Sequence, residues 1–286
     1  MIRTTSVLAL AMALSTPALA QSTDEQVSTS DTTVAASESP DHHDTITLGI
    51  GAAVIPRYDG SRFYYVAPIA GARGSISGIK FSIIAVNFSA DVIPTREPTG
   101  GKLIFGPMAH ITLNRSSLRA SRIALLGDIK PALEAGLHIG YQQTGVITSQ
   151  YDVLTFDLAV SHDVSDIHNS IIVTPSVTYA TPLSRRMLVA LNVAADYVGG
   201  EYAQTYYGVT PAQAAVSGFP TYNIGAGFNN VSAGILAGYS LSGDLRRGFS
   251  LFAAGNYSRF MPETRRSPLV HADEQLIGAL GIAYTF

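Results

Sequence analysis

Residues 274–286 read Glu274-Gln275-Leu276-Ile277-Gly278-Ala279-Leu280-Gly281-Ile282-Ala283-Tyr284-Thr285-Phe286. One set of alternate positions carries Leu276, Leu280, Ile282, Tyr284 and Phe286, with Gly278 among them. The other set carries Ile277, Ala279, Gly281, Ala283 and Thr285, which are smaller and less oily. A period of two predicts a strand with opposite faces. A greasy face, a small face and a final aromatic suit the closing strand of an outer-membrane β-barrel. The last strand of a soluble sandwich alternates too, so the rest of the chain has to decide.

Working outward, the same period recurs from Thr45 onward. In 45–54, Ile46, Leu48, Ile50 and Ala52 share a face. In 102–114, Leu103, Phe105, Pro107, Ala109, Ile111 and Leu113 do so. In 130–142, Leu133, Ala135, Leu137, Ile139 and Tyr141 oppose Lys130, Glu134, His138 and Gln142. The segments 63–73, 79–85, 151–161, 170–180, 187–197, 231–239 and 249–257 repeat it, and 87–93 is a short candidate. The total is eleven strands, or twelve with 87–93. Clear strands run about 10 residues, the length a tilted membrane strand needs.

Composition separates barrel from sandwich. Charged residues make up 14% of the 286-residue chain, against roughly 25% in soluble domains. The polar face is mostly small residues. A net charge of −3 with no basic stripe argues against nucleic acid as a partner. With no cysteine, there is neither a disulfide framework nor a thiolate metal site. Tryptophan is absent too, so the 14 Tyr and 11 Phe would form the aromatic girdles.

Connection lengths add topology. Counted back from Phe286, the connections 261–274, 199–227, 162–168 and 115–129 fall on the outside. Those at 241–248, 181–186, 143–149 and 94–100 are short and fall on the periplasmic side. This is the arrangement of bacterial barrels, whose strand number is even. The expected fold is therefore all-β, a single antiparallel up-and-down transmembrane β-barrel of about twelve strands, with ten as the alternative.

Residues 1–20 read as a secretory signal. Arg3 is basic, 7–14 is a short apolar core, and Ala18-Leu19-Ala20 precedes a cut before Gln21. Residues 21–44 are rich in Ser, Thr, Asp and Glu and read as a disordered periplasmic linker; the barrel then occupies 45–286.

The connection 199–227 contains Tyr207-Gly208-Val209-Thr210, then Ser217-Gly218, then Tyr222 before Gly225 and Gly227. Here the chain resembles the MipA/OmpV family of MltA-interacting outer-membrane proteins. Supporting matches are Tyr58-Asp59-Gly60-Ser61, Leu126-Gly127-Asp128-Ile129, Glu134-Ala135-Gly136, Tyr239 with Leu241, Ser267-Pro268-Leu269-Val270 and the terminal Tyr284-Thr285-Phe286. The likeness spans about 45–286 and is looser in 80–125, where Leu113-Asn114-Arg115-Ser116 replaces the family's G-R-D/E stretch.

The resemblance implies a non-catalytic, cofactor-free protein of the bacterial outer membrane. Its family role is a peptidoglycan scaffold that brings a lytic transglycosylase to a bifunctional penicillin-binding protein. Other expected partners are outer-membrane lipid, lipopolysaccharide and the barrel-assembly machinery, for which Tyr284 and Phe286 are the expected signal. A small-solute pore, or a surface adhesin or receptor acting through 115–129 and 199–227, are the alternatives. The best-matching loop falls outside the cell, away from any murein enzyme. Either it folds into the lumen, or it is structural and partners meet the short turns. From the residues alone, Gly208, Pro211, Gly218 and Pro220 mark turns. Tyr202, Tyr206, Tyr207 and Tyr222 suit a packed plug better than a binding site.

Catalysis finds little footing. Ser161-His162-Asp163 places neighbouring side chains on opposite faces, and no GxSxG motif is present. Asp152, Asp157 and Asp196 read as paired or solvated lumen charges. No metal site is expected: Lys130, Glu134 and His138 share a face, but successive members stand about 13 Å apart.

Overall fold

The computed structural model describes residues 44–94, 100–115 and 122–286. The signal segment with Ala18, Ala20 and Gln21 lies outside the described residues, as does the linker up to His43.

Twelve strands close into one antiparallel barrel in which each strand pairs with its sequence neighbours. They are β1 (Thr45–Pro56), β2 (Tyr64–Ile76), β3 (Ile79–Ile84), β4 (Asn87–Asp91), β5 (Gly101–Thr112) and β6 (Ala132–Thr144). β7 (Val153–Asp163), β8 (Ile171–Ser184), β9 (Met187–Val198), β10 (Gly227–Ser240), β11 (Gly248–Phe260) and β12 (Glu274–Thr285) follow. Closure runs through β1 and β12, from Thr47 opposite Thr285 to Val54 opposite Gly278. The strand count settles on twelve because 87–91 forms its own strand, paired to β3 and β5.

The wall inverts the rule of soluble proteins. Ile50 and Leu280 are 65% and 67% exposed, whereas Glu134 and Asn192 are 0% and 2% exposed. Burying a polar group is costly unless it is hydrogen-bonded, and an apolar belt is stable only against lipid. Alternation along each strand therefore sorts large apolar side chains outward and small or polar ones inward.

The two ends differ. Turns 77–78, 145–152, 185–186 and 241–247 stand at one end with Thr45 and Phe286. The longer connections 57–63, 164–170, 199–226 and 261–273 stand at the other, with the two-residue 85–86 turn among them. The β8–β9 connection is tighter than the expected 181–186, because the ladder continues through Pro182 opposite Leu188 to Ser184 opposite Met187. Inside the short-turn half, the Phe252 ring lies against Gly281 and Gly49. A Cβ on Gly281 would stand 2.3 Å from that ring and 2.4 Å from the Ile50 carbonyl oxygen, so only glycine fits.

Candidate functional site

The long-loop mouth is closed by a lid. Helix α1 (Gly200–Tyr207) turns in directly from β9. Its Tyr202, Ala203, Tyr206 and Tyr207 are buried against Ile172, Val198 and Phe260, the topmost inward residues of three strands. Tyr202 and Tyr206 rings lie 4.7 Å apart, and His168 of the β7–β8 loop meets both at 4.9 and 5.7 Å.

Helix α2 (Pro211–Ser217) follows. The Thr210 hydroxyl accepts from the Gln213 N–H, while the Gln213 side chain accepts from the Thr210 N–H, making a reciprocal cap with Pro211 at the first turn. Gly218 ends the helix at φ 68°, a conformation glycine adopts at little cost.

Every neighbouring long loop is tied to these helices. The 3-10 turn Arg122–Leu126 contributes Arg122, which donates to the Ser217 carbonyl at 2.7 Å and to that of Gly218, and stacks 4.4 Å over the Phe219 ring. Gln213 donates to the Leu126 carbonyl at 3.2 Å. From the β11–β12 loop, the Ser267 hydroxyl donates to the Tyr207 carbonyl at 2.6 Å. From the β5 end, Arg115 donates to the Thr205 carbonyl at 3.0 Å. Tyr58 donates its hydroxyl to His271 Nδ1 at 2.7 Å, joining the first loop to the last. Tyr58, Ile123, Leu126, Val209, Phe219 and Leu269 form a hydrophobic core above the mouth.

Burial is the largest influence on the lid's ionisable groups. Burial pushes the Tyr58 phenol up to about 12, against the opposing influence of its Ser61 bond and of Arg62 and Arg115. Burial lowers the Arg115 guanidinium to about 10. Burial, then the Arg62 charge, lowers the His271 imidazole from its ordinary value, although one edge of His271 meets solvent. A neutral imidazole is what the Tyr58 hydroxyl needs as an acceptor.

Beneath the lid, the lumen carries paired carboxylates. Glu134 accepts from the Thr112 hydroxyl at 2.6 Å and amide at 3.3 Å, and stands 3.1 Å from His168 and 3.4 Å from His110. Asp196 accepts from Thr174 and Asn230 at 2.8 and 2.9 Å. Asp157 stands 3.1 Å from His138. Among the described residues, no group of three or more His, Cys, Asp or Glu has the geometry of a metal site.

The structure redistributes several of the sequence candidates. Tyr207, Gly208, Val209, Thr210, Ser217 and Gly218 all serve the lid. Tyr207 accepts from Asn229, Val209 bridges to Tyr222, and the Ser217 hydroxyl donates back to the Gln213 carbonyl. Gly208 and Gly218 are helix ends. Asp152 is not a lumen residue. It is buried within the β6–β7 turn and accepts from the amides of Val146, Ile147 and Thr148. Burial opposes its ionisation, but these bonds and the Tyr179 hydroxyl outweigh that and hold the carboxyl far below the usual range.

Ser161 and Asp163 point inward and His162 outward, so the tripeptide converges on nothing. Tyr284 and Phe286 face lipid with rings 4.8 Å apart, and Phe249 packs on Tyr284 at the same spacing. A shallow apolar concavity of about 1200 Å³ also lies on this belt, between Ile50, Pro68, Met187, Tyr239, Leu251 and Leu280.

The sequence reading missed Arg122, His168 and His271 as lid ties. Each sits in an irregular loop where no period predicts direction.

Structural comparison finds other barrels. The chain is 11% identical to an outer membrane channel from Pseudomonas putida F1, with a TM-score of 0.44 over 89% of this chain and 100% of that one. It is also 11% identical to the outer membrane protein OprD from Pseudomonas aeruginosa, with a TM-score of 0.37 over 84% of this chain and 65% of that one. The NalP autotransporter translocator domain from Neisseria meningitidis gives 0.34, again at 11% identity, over 84% and 87% of the two chains. No function carries over at these values. No curated protein matches the sequence. A family model does match, over residues 48–286, described as MltA-interacting protein MipA. That span covers all twelve strands and the lid but for the first residues of β1. The chain belongs to the MltA-interacting protein MipA family, and it is an outer-membrane β-barrel protein.

Proposed function

We propose that this barrel is a non-catalytic scaffold. It holds a lytic transglycosylase and a bifunctional penicillin-binding protein together at the periplasmic face of the outer membrane. The family description supports the first partner. The observation that carries the reading is the asymmetry of the two ends. The outer mouth is occupied by its own interlocked loops, which leaves the periplasmic turns as the free surface. The β8–β9 and β10–β11 turns are joined there, with Leu245 donating to the Arg185 carbonyl and Ser240 to that of Arg186. They present Arg185, Arg186, Arg246 and Arg247 as exposed cations, with Asp244 beside Arg246. Such a rim suits acidic partner surfaces.

The pore and the surface-receptor readings lose support from the same lid. It blocks a straight path, and its tyrosines are spent on packing. Lipid and lipopolysaccharide surround the belt in this reading, and Tyr284 and Phe286 serve the barrel-assembly machinery.

The test is crosslinking of tagged mature protein in intact envelopes, followed by pull-down and mass spectrometry. Recovery of both enzymes is expected, and charge reversal at Arg185 and Arg246 should reduce it. Recovery of lipopolysaccharide and other barrels alone would sink the scaffold reading.

A further inference from the structure

The short-turn half of the lumen has the opposite character to the half beneath the lid. Arg73, Lys80, Asp91 and Lys102 are inward residues on four adjacent strands, all near the short turns. They make three cations and one carboxylate. Lys80 faces Asp91 across the ladder, but the short contact of that carboxylate goes to Lys102 at 2.7 Å. Arg73 has no hydrogen bond or ion pair among the described residues, and its Nη1 is buried.

A second orphan lies next to it. Ser82 is the cross-strand neighbour of Arg73, and its buried hydroxyl also lacks a partner among the described residues. Directly opposed side chains in a sheet are roughly 5 Å apart, and diagonal ones such as Arg73 and Lys80 roughly 7–8 Å. One small ion can span that distance.

A buried donor without an acceptor costs free energy, and a guanidinium without a counter-charge costs more. Two donors without partners among the described residues, beside a lysine that shares its one facing carboxylate with Lys102, describe a cradle for an oxyanion. Arginine matches carboxylate and phosphate geometry with its planar fork. A serine hydroxyl adds a donor, and a lysine adds a point charge.

Access is one-sided. The lid residues are buried, whereas Thr47, Arg73, Ser75, Lys80, Ser250 and Phe252 keep partial exposure within the wall. Because the wall is closed, a lipid headgroup outside the barrel cannot reach these side chains.

We propose that Arg73, Ser82 and Lys80 form a binding site, inside the lumen and open toward the periplasm, for a small soluble anion bearing a phosphate or carboxylate group. The reading stands independently of the scaffold role.

Thermal unfolding of the full mature barrel in an uncharged detergent tests it, with inorganic phosphate or acetate titrated against sodium chloride at matched ionic strength. At least one of the two should raise the unfolding temperature saturably, since a ligand that binds only the folded state stabilises it. Arg73→Gln should weaken that binding roughly 10–100-fold, as expected for a hydrogen bond to a charged group.

Ser82→Ala provides the variant that folds. It removes an unpaired buried hydroxyl, so the ligand-free barrel should lose no stability while its affinity falls. Arg246→Gln, on the rim outside the lumen, should leave binding intact. No saturable stabilisation by either anion, or undiminished stabilisation in both Arg73→Gln and Ser82→Ala, would overturn the assignment.

Discussion

The two ends of this barrel are built from one wall by opposite rules. At the long-loop end, buried polar side chains such as Glu134 and Ser267 are met by chain from other loops, although buried atoms of Asn114, Arg115 and Asn256 also lack a partner among the described residues. At the short-turn end, connections as brief as residues 77–78 and 185–186 only reverse the chain. Arg73 and Ser82 there carry buried atoms without a partner among the described residues. Loop length is thus what separates a packed end from an open one. A connection of a few residues can only reverse direction, whereas 199–226 is long enough to carry two helices that build a core with the neighbouring loops.

The largest effect should come from removing that difference. Replacing residues 200–217 by a short glycine-serine linker takes away α1 and α2 but leaves the wall's ladders untouched. The wild-type protein should show no steady channel in planar bilayers, because Tyr202, Tyr206 and Tyr207 seal the mouth. The shortened chain should show discrete open steps, since the residues beneath are small or polar. A conducting wild type would break the comparison at its root.

A second, intermediate effect belongs to the short-turn end. Phe286 is 67% exposed, and its ring contact with Tyr284 is worth only about 1 kcal/mol. Phe286→Ala should therefore leave the unfolding temperature of purified barrel nearly unchanged. If the residue is part of an assembly signal, outer-membrane yield should fall several-fold. Yield that simply tracks stability would remove it from that role.

Periodicity made the wall legible and the lid opaque. Strands such as 130–142 announced themselves because a period of two has one physical cause, a wall with lipid on one side and lumen on the other. The structure moved that strand to Ala132–Thr144 without changing its faces. The twelfth strand was harder, since Asn87–Asp91 has only five residues in which to show a period.

The signature residues were picked out by resemblance, but their work was not readable from it. Thr210-Pro211-Ala212-Gln213 carries a complete helix-start signal, yet by residue type alone Pro211 reads as a turn marker. The Glu134 cluster joins two strands and a loop through His110 and His168. Such long-range convergence leaves no trace in local spacing. The orphaned pair Arg73 and Ser82 was equally invisible, because it is defined by a register that only the folded ladder fixes.

The smallest effect, and the one that sharpens the comparison most, concerns pH. His271 fastens the last long loop to the first through the Tyr58 hydroxyl at 2.7 Å. Its imidazole titrates below its ordinary value because of burial and the Arg62 charge. The open lid frees the ring, whose reference value is about 6.5. A depressed folded value means that protonation favours the open form. The lid's stability is therefore fully present above about pH 6.5 and is lost as pH falls through the lower folded value. A protonated Nδ1 no longer accepts from Tyr58, and the new charge faces Arg62.

Hydrogen exchange of 57–63 and 261–273 should then accelerate on acidification, once corrected for the intrinsic pH dependence of exchange. The short turns 185–186 and 241–247 should show no such step. His271→Gln should abolish the step, because a glutamine side chain offers Tyr58 an oxygen that does not titrate in this range. An acid step that survives in His271→Gln would place the sensitivity elsewhere in the mouth. A step at the short turns as well would mean that the two ends open together, and the wall, not the lid, would then be what acid loosens.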